Sequence, residues 1–173
     1  MTEDEKAELE SSLFPEELDL KDEISRSQLL EQYRIFVQSS ETLVGRRQTV
    51  NTFFLSINSL LLAAISVFAS EGRMTEPFVE LVVLALTIAG AVLSYSWWRL
   101  VRSYRQLNAG KFKVIHLLEK HLPAAMFKAE WEALGSGTDK SKYSPFTTAE
   151  SRIPYIFFGL YIVAAFLGLW STF

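Results

Sequence analysis

Three stretches of this chain, residues 48–70, 81–98 and 153–173, contain no Asp, Glu, Lys or Arg and are dominated by Leu, Ile, Val, Phe and Ala. They are 23, 18 and 21 residues long. A helix needs about 17–25 mostly apolar residues to cross the hydrocarbon core of a bilayer. The pattern therefore predicts three transmembrane helices, at 48–70, 78–101 and 153–172.

Outside the runs the apolar positions keep helical spacing. Leu29, Leu30, Tyr33, Phe36, Val37, Leu43 and Val44 form a stripe before the first run. Tyr104, Leu107, Val114, Ile115, Leu118 and Leu122 form another after the second, and both read as amphipathic helix. Ser25 followed by Gln28 reads as a capping box. One continuous helix is expected from about residue 25 to 69, with Gly45 as its weak point. Pro77 suits a first helical position. Gly110 is a loosening point in the second helix and Pro123 its expected stop. A short amphipathic piece around Phe127, Trp131 and Leu134 follows, then a Gly/Ser loop at 135–138. Thr147 with Glu150 is a second capping-box pattern, and Pro154 opens the third run.

The fold expected is an all-α integral membrane protein with three transmembrane helices, the first two extended into the cytoplasm as an antiparallel helical pair. Its segments are an acidic flexible arm (1–23), a cytoplasmic helix (24–47), the first span (48–70), an external loop (71–77), the second span (78–101), a cytoplasmic helix and loop region (102–152) and the third span (153–172). The arm holds ten acids against Lys6 and Lys21, a composition suited to a mobile segment or to docking on a basic surface. Because the first apolar run begins behind it, that run is not expected to be a cleavable signal peptide.

Charge sets the orientation. Of 17 basic residues, six precede the first span, Arg73 alone lies between the first two, ten lie between Arg99 and Arg152, and none follows the third. Basic residues favour the cytoplasmic side, so the N-terminus and the long second connection are expected inside and the C-terminus outside. The absence of cysteine excludes disulfides and thiolate metal sites. A net charge of −3 gives no nucleic-acid footprint.

Candidate chemistry is sparse. Glu80, about one turn inside the outer end of the second span, reads either as a proton or ion site or as an acid complementing the helix start. In the first span, Asn51 and Asn58 lie seven apart on nearly one face, beside the stripe Ser56, Ser59, Ala63 and Ser66. These positions suit helix–helix packing or a pore-lining face. Lipid offers the two amides no hydrogen-bond partner, so the expected interface of a cyclic homo-oligomer includes Phe36, Leu43, Asn58 and Ser59. Arg46, Arg47, Arg99, Arg102 and Arg105 gather at the inner face, toward anionic headgroups or a salt-bridged junction. His116 and His121 are five apart, which is not the spacing that places two imidazoles on one metal. No catalytic constellation, cofactor motif or metal set appears.

Several strings occur together: Gly45-Arg46-Arg47-Gln48-Thr49-Val50-Asn51-Thr52-Phe53-Phe54-Leu55-Ser56-Ile57-Asn58, Trp98-Arg99-Leu100-Val101-Arg102-Ser103-Tyr104-Arg105-Gln106-Leu107-Asn108, Gly110-Lys111-Phe112-Lys113-Val114-Ile115 with Leu118-Glu119, and Glu130-Trp131-Glu132-Ala133-Leu134-Gly135. With them, residues 29–173 resemble the RipA family of small octameric bacterial cytoplasmic-membrane proteins. That resemblance implies an inner-membrane location and a homo-octamer, with no established reaction. A looser similarity to two-span SLATT-type effectors of bacterial defence operons is weakened by the third run. The function expected is a non-enzymatic homo-oligomeric inner-membrane assembly whose cytoplasmic helices form a platform for partners or regulation. The alternative is an ion-conducting pore or membrane effector of a defence or stress system. The expected partners are the lipid bilayer, other copies of the chain and a cytoplasmic protein, with no nucleic acid and no cofactor.

Overall fold

A computed structural model describes residues 2–14, 21–70, 77–138, 141–142 and 150–170. Every regular element among them is helical: α1 (Glu3–Leu13), α2 (Glu23–Ser70), α3 (Pro77–Glu119), α4 (Met126–Ala133), a single 3-10 turn (Gly135–Gly137) and α5 (Ile153–Trp170). Two of these, α2 and α3, are long and apolar enough to cross a membrane.

The start of α2 differs from the Ser25/Gln28 reading. The helix begins two residues earlier, and the Asp22 carboxylate accepts both the Ser25 N–H and the Ser25 hydroxyl at 2.9 Å. An ionised acceptor at the N-cap satisfies the N–H of the third helical residue, one of the donors the first turn leaves free. Both long helices continue through Gly45 and Gly110, which face open space. Pro77 is the first residue of α3, as its fixed φ favours. Thr147, half of the second capping-box pattern, lies outside the described residues.

The chain divides into two compact units. Unit 1 comprises Met1–Val44 and Gln106–Ser144. Its core is Leu29, Tyr33, Ile115 and Leu118, with Leu13, Phe14, Phe36, Val37, Val114, Leu122 and Phe127 packed around them. The two sequence stripes meet here, and their partners run in opposite order: Tyr33 bonds to Glu119, and Ser39 to Lys111. Within the arm expected to be mobile, residues 3–13 form α1. The Thr2 and Glu5 side chains each bond to the other's backbone N–H, and three acids sit in the first turn, the charge a helix N-terminus favours.

Unit 2 comprises Gly45–Arg105 and Pro145–Phe173. One apolar cluster joins Phe54, Trp97 and Val101 with Val50, Leu93, Ile153 and Phe157. A second joins Ile65, Val83 and Tyr161 with neighbours that include Leu61, Leu62, Leu86 and Ala164. Ile153, Phe157, Tyr161 and Ala164 recur every three or four residues, so α5 lays one face against the other two helices.

Candidate functional site

Unit 2 contains a polar seam built from residues four apart or nearly so. Asn58 is fully buried; its amide donates to the Phe54 carbonyl at 2.8 Å, and its Oδ1 accepts the Ser94 hydroxyl at 2.9 Å. The Asn58 carbonyl also accepts the Tyr161 hydroxyl at 3.1 Å. Two helical turns toward Arg47, Asn51 Oδ1 accepts the Trp97 indole N–H at 2.9 Å. Trp97 in turn stacks on Phe54, with centroids 5.8 Å apart. Where water is absent, each of these groups would cost free energy if unpaired, and the seam pairs them.

This bears on the site residues named from sequence. Asn51 and Asn58 find hydrogen-bond partners inside the chain. Ser56, Ser59, Ala63 and Ser66 are all exposed, and so is Glu80 in the first turn of α3. In unit 1, Phe36 and Leu43 are half-buried, and the Lys111 ammonium stands 4.5 Å above the Phe36 ring. Arg46, Arg99, Arg102 and Arg105 are exposed. Arg47 is not: its side chain is 12% exposed and lies 3.4 Å from the Glu150 carboxylate, itself 7% exposed. An ion pair so enclosed contributes mainly by what its loss would strand.

The second centre is a carboxylate in unit 1 to which the sequence analysis gave no role of its own. Glu119 is buried and accepts three hydrogen bonds, from the Phe127 N–H at 2.7 Å, the Lys128 N–H at 3.0 Å and the Tyr33 hydroxyl at 3.1 Å. It stands in for the missing cap of α4, whose N-cap residue Ala125 offers no side-chain acceptor. The available signal was an acid inside the apolar stripe Ile115, Leu118, Leu122, ahead of a short helix with no Ser, Thr, Asp or Asn at its start. Burial, and secondarily the adjacent Glu119 charge and hydrogen bond, push the Tyr33 phenol up to about 12.

At the edge of unit 1, the Lys120 ammonium donates to Glu10 at 2.6 Å. His121 meets the ring of Phe14 edge-on at 4.8 Å. The Lys120 hydrogen bond holds the Glu10 carboxyl below its ordinary value. No group of three or more potential metal ligands occurs among the described residues. Among the described residues the arrangement supplies packing, polar pairing and a charged rim.

A family model described as the octameric membrane protein family (8xMP) matches residues 30–170. The match covers α2 from Leu30 through to the last residue of α5 and leaves α1 outside. No curated protein and no solved structure matches.

Proposed function

Because the chain belongs to the octameric membrane protein family, we propose that it acts as a non-enzymatic homo-octamer in a bacterial cytoplasmic membrane, with its helices outside the bilayer forming a platform for partners or regulation. The family match over residues 30–170 is the observation that carries the oligomer. The RipA-like strings support the bacterial inner membrane.

In this reading α2, α3 and α5 all cross the bilayer. The N-terminus and unit 1 are cytoplasmic, with α2 and α3 antiparallel there, and the C-terminus is external. The distribution of basic residues and the reversed order of the Tyr33–Glu119 and Ser39–Lys111 partners support this arrangement. Arg46, Arg99, Arg102 and Arg105 then stand at headgroup level. A periplasmic reporter fused after Phe173 is expected to be active; cytoplasmic activity there would remove the third span.

The interface between copies is proposed along Ser56, Ser59, Ala63 and Ser66, with Phe36 and Leu43 continuing it outside the bilayer. The four small residues follow a three-four-three spacing, are exposed, and permit close helix approach. Asn58, enclosed by its own chain, serves the monomer's packing instead. An ion-conducting pore draws no support from Asn51 and Asn58, whose side-chain oxygens are engaged internally. Native mass spectrometry from mild detergent is expected to give the mass of eight chains. Ser56→Leu with Ser59→Leu is expected to shift that population toward smaller species. A strictly monomeric mass for the folded wild type would overturn the assembly.

A further inference from the structure

The basic end of unit 2 has a charge excess that its own acids do not meet. Within the unit the acids are Glu71, Glu76, Glu80 and Glu150. Glu80 lies nineteen residues before Arg99 on the same helix, roughly 28 Å away; Glu71 and Glu76 precede it. Glu150 is at the basic end and is taken by Arg47.

Arg99, Arg102 and Arg105 recur every three residues on α3 with no Asp or Glu three or four positions away from any of them. Like charges at that spacing repel by a few tenths of a kcal/mol per pair, and none of the three forms an ion pair among the described residues. An anion from outside the chain would relieve this.

The surroundings specify which kind. Tyr95, Trp98, Arg102 and Arg105 follow a three-four-three spacing and share one face of α3. The Trp98 ring lies 5.7 Å from that of Tyr95 and 5.7 Å from that of Tyr155 of α5. The Arg102 guanidinium carbon sits 5.7 Å from the centroid of the same indole. Both tyrosines are more than half exposed. Stacking occupies the flat face of a guanidinium and leaves its N–H edge free for two parallel bonds to a phosphate. The face therefore grades from aromatic to cationic along the helix. A phospholipid grades the same way, from ester carbonyls to charged headgroup, and Trp and Tyr favour that depth. A free phosphate would use the arginines and leave the exposed aromatic shelf without a role.

We propose that Tyr95, Trp98, Arg102 and Arg105, flanked by Tyr155, form a binding site for the headgroup of an anionic phospholipid. The inference rests on the membrane reading above, and it assigns these residues a specific ligand rather than a general position.

The test uses the full chain reconstituted in phosphatidylcholine vesicles with and without phosphatidylglycerol, then released for native mass spectrometry of retained lipid. Wild type is expected to retain phosphatidylglycerol over phosphatidylcholine by about tenfold, the equivalent of one charge-assisted contact. Arg102→Gln is expected to lose most of that preference, Arg102→Lys to keep part of it, and Arg34→Gln, at an exposed pair with Glu31 in unit 1, to keep all of it. Thermal unfolding of each variant checks the fold, and Tyr155→Leu, at an exposed position, gives a second reduction that does not depend on Arg102. Equal retention by Arg102→Gln and wild type would overturn the site, as would an assembly that retains neither lipid because an acid of a neighbouring copy fills it. Displacement by inorganic phosphate would assign it to a soluble anion instead. Flotation with the vesicles in the same samples reads the membrane placement by itself: a chain that floats but shows no headgroup preference refutes the lipid site alone.

Discussion

Gly90 lies directly against the ring of Tyr161, so close that a Cβ at position 90 would overlap the aromatic carbons. Tyr161 is fully buried, and its hydroxyl reaches across to the Asn58 carbonyl. The notch at Gly90 is therefore what lets α5 seat on α3.

Gly90→Ala is expected to push Tyr161 out of that notch and loosen the hold on α5. Overpacking of this kind typically costs about 1–3 kcal/mol, and the displaced hydroxyl also gives up its acceptor. Unfolding in detergent should show the loss. Adding Tyr161→Ala to Gly90→Ala should recover part of it, since the clash disappears with the ring; simple additivity of the two changes would contradict the contact.

Asn58→Leu and Asn51→Leu separate internal pairing from assembly. The first removes the acceptor of the Ser94 hydroxyl and the second that of the Trp97 indole. Hydrogen bonds between membrane helices contribute about 0.6 kcal/mol on average and up to about 1.7. Each variant should lose stability on that scale while the native mass of the oligomer stays unchanged. A smaller oligomer with an unaltered monomer would put these amides back between copies.

The contrast shows what the sequence carried and what it did not. Periodicity identified α2 and α3, and the stripe containing Leu29 and Tyr33 does meet the one containing Ile115 and Leu118, because burial of apolar faces is local information. Asn51 and Asn58 were visible as polar residues on one face, but their partners Trp97 and Ser94 lie 46 and 36 residues away. Helical spacing carries no such long-range pairing. Glu119 was missed for the same reason. Its role depends on where the chain turns after α3 and brings the bare start of α4 back to it. Glu150, read as half of a cap whose other half lies outside the described residues, has Arg47 as a partner that spacing did not reveal.

Glu119→Ala should release α4. It leaves two backbone N–H groups and the Tyr33 hydroxyl without their acceptor. At roughly 1–3 kcal/mol for each buried group left unpaired, less for those only part-buried, a loss of about 2–4 kcal/mol is expected. Glu119→Gln keeps an acceptor oxygen and should lose less. Amide exchange at Phe127 and Lys128 is the direct readout, and unchanged protection there in Glu119→Ala would refute the cap.

Tyr33 gives this centre a signature at high pH. Its phenol is raised to about 12 in the folded chain against an ordinary value of 10. Below pH 10 the phenol is protonated in both states and the stabilisation is complete. Between about pH 10 and 12 the unfolded chain loses the proton first, so stability falls, at most about 1.4 kcal/mol per pH unit from this group. The difference between wild type and Tyr33→Phe should therefore shrink across that window, while the tyrosinate absorbance that wild type has in excess of Tyr33→Phe should appear late in the titration.

The final expectation concerns α1, which is held by few contacts. None of its residues is buried, and an isolated helix of 11 residues is marginal in water. Its attachment is at one end, where Leu13 and Phe14 pack on the unit 1 core, Phe14 meets His121 and Glu10 receives the Lys120 ammonium. Glu10→Gln with Phe14→Ala should free it. Amides of 3–13 would then exchange rapidly, while those of 29–37 keep their protection because Leu29 and Tyr33 are enclosed by α3. Acid should weaken the same contact. The Lys120 hydrogen bond lowers the Glu10 carboxyl; burial is the next largest effect and opposes it, and the Lys120, His121 and Lys6 charges add to the lowering. A lowered folded value means that the stabilisation is present above the ordinary glutamate value of 4.5 and is lost as pH falls through the lowered one. Exchange of the α1 amides, corrected for the intrinsic pH dependence, should rise only in that acidic range, and Lys120→Met should abolish the step. Persistence of the step in Lys120→Met would mean that another carboxylate holds the helix.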